Sequence, residues 1–89
     1  MENLFKTFKL GGLTLKNHFV LAPIKTGYGS PDGVVTDRQL SFYRQIAKDG
    51  PAVLILEPVA VTPDGREHPK QLCVHRPESS KELRKIVDV

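Results

Sequence analysis

Three polar residues stand directly after apolar segments of the sequence and are the first candidates for chemistry. Lys25 and Thr26 follow HFVLAPI, and Glu57 follows AVLIL. Neither segment alternates polar and apolar residues, so each is predicted to be a strand covered on both faces. Ligands of parallel α/β sheets bind at the carboxyl ends of the strands. We therefore expect a ligand site with Lys25, Thr26 and Glu57 side by side.

A helix is predicted between these two strands. The strands cover residues 18–24 and 52–58, and Thr36 and Gln39 between them have the spacing of a capping box. Apolar residues at helical spacing follow until a Gly-Pro pair, which predicts a helix over 37–49. A strand, a helix and a second buried strand in this order predict a right-handed βαβ unit with parallel strands.

Two further elements flank this unit. A hairpin is predicted over 5–16, because Gly11 and Gly12 separate two short segments and a type I′ turn needs positive φ at both central positions. A second helix is predicted over 79–89, with a serine as its cap. Two parallel strands covered on both faces need more helical surface than this. The sequence therefore predicts an α/β fold that is the beginning of a larger domain.

Composition excludes several classes of protein. The 89 residues carry a net charge of +3, and basic and acidic residues alternate, which indicates a solvated surface rather than a nucleic-acid footprint. The longest apolar run is far shorter than a membrane span, and the N-terminus lacks the apolar segment of a signal peptide. The single cysteine, Cys73, cannot form an intramolecular disulfide. These features predict a cytoplasmic protein that binds neither nucleic acid nor membranes.

The histidines do not predict a metal site. His18, His68 and His75 have no metal-ligand spacing in the sequence and are not grouped with Cys73. Zinc and iron sites need several such ligands close together. We therefore expect no metal to bind this stretch of chain.

The loop after the first strand allows a nucleotide-binding interpretation. Gly27 and Gly29 form a G-x-G between a strand and a helix, as in dinucleotide-binding proteins. The next glycine is Gly33, at the wrong spacing, and Pro31 stands where the helix would have to begin. Loop geometry therefore explains these glycines better than phosphate binding does. A small nucleotide-binding α/β module is kept as an alternative.

Taken together, the segments resemble the N-terminal part of the old yellow enzyme family of FMN-dependent NADH:flavin oxidoreductases, which includes 2,4-dienoyl-CoA reductases and 2-enoate reductases. The resemblance is carried in order by LFKTFKLGGLTLKNHFVLAPIKTGYG, DGVVTDRQLSFYRQIAKDG, LILEPVAVTPDGR and QLCV, and it covers essentially the whole chain. It implies the N-terminal hairpin and first βαβ unit of a TIM (β/α)8 barrel, incomplete in this chain, with FMN across the carboxyl ends of the strands.

The resemblance also implies a function and a set of cofactor-binding residues. The whole enzyme would take hydride from NAD(P)H onto FMN and pass it to an activated alkene of the enoate or enone type. No catalytic residue is implied within these 89 residues, and an iron-sulfur cluster or FAD would belong only to a further C-terminal part. The residues implied to line FMN are Ala22, Pro23, Ile24, Lys25, Thr26 and Pro58.

Several residues keep two interpretations. A cation at Lys25 would raise the reduction potential of the flavin, but Lys25 is equally a candidate to pair with Glu57 or to face solvent. Glu57 itself is a candidate proton-handling acid, although a carboxylate at a strand end more often accepts backbone hydrogen bonds. Tyr28 either contacts substrate or covers apolar surface. Gln71 corresponds to a position near the barrel mouth, without an expected role.

Some positions depart from the family pattern. The family commonly has arginine at the position of His18 and glycine at the positions of Pro51 and Cys73. A side chain at position 73 is predicted to crowd a tight backbone passage. Such departures support a rival hypothesis, a truncated, non-catalytic chain that pairs its sheet edges with itself or with a partner.

Overall fold

The computed structural model describes residues 2–89, which form two small sheets and two α-helices. Two 3₁₀ turns, at Glu2–Phe5 and Pro63–Gly65, complete the secondary structure. The strands and helices, in chain order, are β1 (Phe8–Leu10), β2 (Leu13–Leu15), β3 (Val20–Leu21), α1 (Asp37–Asp49), β4 (Val53–Leu54) and α2 (Ser79–Val87).

Strands β1 and β2 form an antiparallel hairpin around a two-residue turn. Phe8 pairs with Leu15 and Leu10 with Leu13. Gly11 has a φ of +59°, whereas Gly12 does not have a positive φ. The predicted type I′ turn is therefore wrong, because a positive φ at only the first central position is typical of type II′.

Strands β3 and β4 are parallel and shorter than the predicted ranges 18–24 and 52–58. Their ladder joins Val20 to Val53 and Leu21 to Leu54, and the N–H of Ile55 still donates to the carbonyl of Leu21 at 3.1 Å. Pro23 has no N–H, so it cannot donate the next bond of the ladder. The sheet ends there, and the following backbone leaves it as a loop.

The helices cover one face of the β3–β4 sheet and leave the other open. Val20 and Ile55 share the open face and are 56% and 46% exposed. On the covered face, Leu54 and Leu56 line an apolar cavity of about 390 Å³ between the sheet and the two helices. Within this chain the two strands are therefore covered on one face only, which agrees with the prediction that they need more helical surface than the chain supplies.

Helix α1 begins at the predicted capping box. The N–H of Gln39 donates to Thr36 Oγ1 at 3.3 Å, and the N–H of Thr36 donates to Gln39 Oε1 at 3.1 Å. Two of the unpaired donors at the helix N-terminus are thus satisfied reciprocally. Thr36 Oγ1 also donates to the carbonyl of Tyr28 at 2.5 Å, which ties the helix start to the loop after β3.

Helix α2 differs from its predicted form. It ends at Val87 instead of residue 89, and its N-cap residue is Glu78, which makes no side-chain capping bond. The predicted serine cap is wrong, because Ser79 lies inside the helix and its Oγ accepts from the N–H of Arg76 at 3.2 Å. Ile86 is buried against the core, while Val87 faces solvent.

The apolar core lies where the two helices meet the segment after β4. Its most buried members are Leu72, Tyr43 and Ile86, and Leu72 is only 1% exposed. The backbone of Leu72 and Cys73 runs beside Ala60, and a parallel β-bridge joins Cys73 to Ala60.

None of the helices formed by residues 2–89 has the length and apolar character that crossing a bilayer requires.

Cys73 lies in a tight backbone passage, but Gly33 provides the space for its side chain. Its N–H donates to the carbonyl of Gly33 at 3.1 Å. A Cβ at position 33 would lie 2.7 Å from Cys73 Cβ, and Gly33 has a φ of +79°. The predicted crowding is therefore relieved by the glycine on the other side of the passage.

Candidate functional site

The carboxyl ends of β3 and β4 meet at one edge of the parallel sheet. Thr26, five residues after β3, lies against Glu57, three residues after β4, and Thr26 Oγ1 is 3.0 Å from both carboxylate oxygens. Parallel strands that run side by side bring their ends together, so this proximity follows from the pairing of β3 with β4. The two segments form the candidate site.

Glu57 is the buried centre of this edge and is only 2% exposed. Its carboxylate accepts hydrogen bonds from the Thr26 hydroxyl, from Gln39 Nε2 at 3.2 Å and from the Tyr43 hydroxyl at 2.9 Å. The prediction that Glu57 accepts backbone hydrogen bonds is wrong, because all three donors are side chains. Its own N–H donates to the Tyr43 oxygen at 3.2 Å.

The surroundings of Glu57 stabilise a buried carboxylate without a cation. Three neutral donors satisfy its oxygens, and two of them, Gln39 and Tyr43, come from the first two turns of α1, whose N-terminus carries partial positive charge. Burial raises the pKa of Tyr43; the hydrogen bond from the N–H of Glu57 acts in the opposite direction, and the Glu57 carboxylate adds to the rise. The phenol therefore keeps its proton and remains a donor.

Thr26 connects this buried carboxylate to the loop above β3. Its hydroxyl donates to Glu57 and accepts from the N–H of Tyr28 at 3.2 Å. The hydroxyl is consequently used within the protein. Among the residues implied to line FMN, Thr26 has its side chain against Glu57, whereas Ala22, Pro23 and Ile24 are exposed.

Lys25 forms an ion pair with Glu67 and not with Glu57, so the expected Lys25–Glu57 pair is wrong. Both side chains of the observed pair are 54% exposed. The hydrogen bond and the charge of Lys25 lower the pKa of Glu67. Sequence reasoning missed Glu67, since it lies in an irregular stretch where no periodicity indicates which way a side chain points.

Gln71 has a role that the sequence did not indicate. It is buried, its Oε1 accepts from the N–H of Glu67 at 2.5 Å, and its Nε2 donates to the carbonyl of Pro58 at 3.3 Å. A buried side-chain amide with both ends bonded is a rigid spacer. Gln71 thus fixes the loop that carries Glu67 relative to the end of β4.

Tyr28 packs on helix α1. The Arg38 guanidinium lies 3.9 Å from the centre of its ring, and Phe42 meets the ring edge-on at 6.0 Å. Stacking with a cation on an aromatic face holds the ring in place. This packing favours the interpretation in which Tyr28 covers apolar surface.

The histidine nearest to Cys73 is closer than expected. His75 Nδ1 lies 3.0 Å from Cys73 Sγ, so the expectation that no histidine is grouped with Cys73 is wrong. A pair of ligands does not make a zinc site, which needs three or four. Among the residues that the structure describes, no three histidine, cysteine or acidic side chains come together at a metal-binding distance.

Residues 3–89 match the NADH:flavin oxidoreductase / NADH oxidase family. The chain belongs to this family. It is 35% identical over 89 residues to the NADPH dehydrogenase of Listeria monocytogenes serotype 4b (strain CLIP80459), an alignment that covers 99% of this chain and 26% of that protein. It is also 35% identical over 71 residues to the NADH oxidase of Thermoanaerobacter brockii, covering 79% of this chain and 11% of that protein.

Solved structures agree with this assignment. The old yellow enzyme from Pichia sp. AKU4542 superposes with a TM-score of 0.86 and 31% identity, over 97% of this chain and 22% of that one. The resemblance to the old yellow enzyme family is thereby confirmed, as is an α/β chain that corresponds to part of that fold. The chain spans about a quarter of the length of the Listeria dehydrogenase that it matches.

The open rim after β3 suits the family's flavin. Ala22, Pro23 and Ile24 are exposed there, and no hydrogen bond within residues 2–89 uses the N–H groups of Ala22, Ile24 or Lys25. Free backbone donors match the nitrogen and carbonyl edge of an isoalloxazine, and exposed apolar surface matches its faces. Pro58, the sixth residue implied to line FMN, is partly buried beside this rim.

Proposed function

We propose that this chain forms one rim of the FMN site of an old-yellow-enzyme-type NAD(P)H oxidoreductase that reduces activated alkenes. When bound, FMN would supply hydride transfer from NAD(P)H to an enoate or enone. The observation that carries the proposal is the exposed apolar rim after β3, which lies beside the end of β4 and whose backbone N–H groups make no hydrogen bond within residues 2–89. Family membership supports the cofactor, and the alkene substrate rests on the resemblance.

The residues of this chain would bind and orient the flavin. Ala22, Ile24 and Lys25 would contact one edge of the ring through their N–H groups, and Pro23, which has no N–H, would keep the rim rigid because its φ is fixed. Pro58 would contact the ring from the neighbouring strand. Glu57 would hold the two strand ends in register through Thr26. Substrate and phosphate contacts would come from parts of a barrel outside these residues.

The proposal is tested in a chimera in which residues 1–89 replace the matching segment of the Listeria NADPH dehydrogenase. We expect a folded, yellow protein with one FMN per chain that oxidises NADPH. Circular dichroism reports folding independently of the cofactor. A chimera that is folded but colourless would show that this segment does not form a flavin rim.

Lys25→Met in that chimera is expected to lower the reduction potential of the bound flavin. Removing a cation from the ring edge makes it less favourable to add electrons to the flavin. If the protein's affinity for reduced FMN relative to oxidised FMN changes tenfold, the reduction potential changes by about 30 mV. Equilibrium titration against a dye of known potential measures the shift. Lys48→Met removes a positive charge from the far end of α1 and serves as the control. Equal potentials in both variants would contradict tuning by Lys25.

A second candidate is a non-catalytic chain that associates with itself. Its accessible surface is 6271 Å², whereas a compact monomer of this mass exposes about 5,200 Å². The excess is comparable with the roughly 800 Å² that one partner buries in a standard interface. The open face around Val20 and Ile55 supports the hypothesis that the chain associates with itself.

The two candidates differ in the purified 89-residue chain. Light scattering coupled to size-exclusion chromatography gives its mass, and its visible spectrum reports any flavin that it retains. A colourless oligomer supports self-association. A monomer that binds FMN weakly supports a partial flavin rim, and a monomer that retains stoichiometric FMN would mean that the site is complete. Binding of a mononucleotide such as AMP without FMN would instead favour the nucleotide-binding alternative.

A further inference from the structure

A second polar connection joins the two strand ends on the solvent side of the candidate site. It consists of Lys25, Glu67, Gln71 and the carbonyl of Pro58, and is called the outer bridge below. Lys25 pairs with Glu67, and Gln71 bonds to both the N–H of Glu67 and the Pro58 carbonyl. The bridge therefore runs from one proposed flavin-contacting segment to the other without using the buried Glu57.

The loop that presents Glu67 is anchored on both sides of that residue. Arg66 Nη1 donates to the carbonyls of Pro31 at 2.7 Å and Pro69 at 3.1 Å. Gln71, on the other side, is buried among its partners. An exposed ion pair usually contributes little to stability, because holding its two side chains in one geometry costs entropy. Here the backbone that carries Glu67 is already fixed, which lowers that cost.

The position of this pair matters for the flavin rim. A ring lying on Ala22 to Ile24 would cover the end of β3 and exclude water beside Lys25. Coulomb interactions strengthen when water leaves, because the effective dielectric constant falls. The charge of Glu67 would then offset the charge that Lys25 presents to the ring.

We propose that Glu67, seated by Gln71, is a positioning residue that holds the Lys25 ammonium at the rim and offsets its charge toward the flavin. The inference rests on the proposed function. Its consequence is that Lys25 in the intact bridge favours reduced flavin less than an unpaired lysine at the same position would. Neither Glu67 nor Gln71 needs to touch the flavin for this effect.

The test compares the affinities of the full 89-residue chain for oxidised FMN and for dithionite-reduced FMN, titrated anaerobically and followed by NMR. The ratio of the two dissociation constants reports the electrostatics of the rim, and weak binding is sufficient. Glu67→Gln is expected to shift this ratio at least about threefold in favour of reduced FMN. Asp64→Asn removes a charge from the same loop and is expected to leave the ratio unchanged.

A double-mutant cycle identifies the route of the effect. In a Lys25→Met background, Glu67→Gln is expected to have a smaller effect on the ratio, because the part that acts through the position of Lys25 is gone and only the charge of Glu67 itself remains. Gln71→Leu should shift the ratio in the same direction as Glu67→Gln, because Glu67 is no longer seated. An equal effect of Glu67→Gln with and without Lys25 would overturn the proposal.

Failure of the inference is distinguishable from failure of the proposed function. If the folded chimera with the Listeria NADPH dehydrogenase binds no FMN, the proposed flavin rim is wrong and the inference falls with it. If only the chimera binds FMN, the same variants are compared there by the reduction potential of the bound flavin. If FMN binds but the ratio is the same in wild type and Glu67→Gln, the rim stands and the role of Glu67 is wrong.

Discussion

Glu57→Gln is expected to lower the free energy of unfolding by about 2–4 kcal/mol. The carboxylate accepts from Thr26, Gln39 and Tyr43 in a buried position. A glutamine amide has one oxygen and an NH₂ group, so at least one of these donors would face another donor. A buried donor without an acceptor retains its full desolvation cost. Urea unfolding followed by circular dichroism measures the loss.

Two variants calibrate this expectation. Tyr43→Phe removes one donor to the carboxylate and also the acceptor of the Glu57 N–H, so a loss of about 1–3 kcal/mol is expected. Glu78→Gln removes an exposed carboxylate before α2 and should change stability by less than about 0.5 kcal/mol. A Glu57→Gln protein as stable as Glu78→Gln would mean that the buried network does not hold the strand ends together.

Gly33→Ala is expected to destabilise the chain by about 2–4 kcal/mol. Two separate costs contribute. The φ of +79° is unfavourable for alanine, and the new Cβ would lie 2.7 Å from Cys73 Cβ and 3.0 Å from its backbone nitrogen. The same urea titration measures the effect. Gly12→Ala is the matched control, because Gly12 has no positive φ and nothing lies within 4 Å of its added Cβ.

The two costs are separable by changing the other side of the passage. Cys73→Gly removes the atom closest to the new Cβ. In the Cys73→Gly background, Gly33→Ala is therefore expected to cost about 1–2 kcal/mol less than it does in the wild-type chain. The cost of the positive φ should remain. If Cys73→Gly gives no relief, the steric contact between positions 33 and 73 is not the source of the instability.

Helix α1 shows what local sequence can determine. Its capping box joins Thr36 to Gln39, three residues apart, and the helix runs over the same residues, 37–49, as the sequence pattern predicts. Gly11 similarly accompanies a two-residue turn between adjacent strands. These features depend on neighbours in the chain, so the residue types carry most of the information.

The sequence resemblance also predicted which residues line a flavin, but it did not predict the hydrogen-bond partners within the candidate site. Glu57 was expected at the site with backbone donors, and the structure surrounds it with side chains from β3's loop and α1. Lys25 was expected to pair with Glu57 or to remain free for the flavin. Its observed partner, Glu67, is 42 residues away in sequence, in a loop without a periodic pattern.

From sequence alone, then, came the family, the α/β class, the extent of α1 and the segments whose ends carry polar residues. Only the tertiary structure decided which of those polar groups is buried, which carboxylate meets Lys25, and that Gln71 joins the end of β4 to the loop of Glu67. The physical reason is that hydrogen-bond partners in a loop are chosen by where the backbone passes in space. The spacing of residues along this chain does not encode that path.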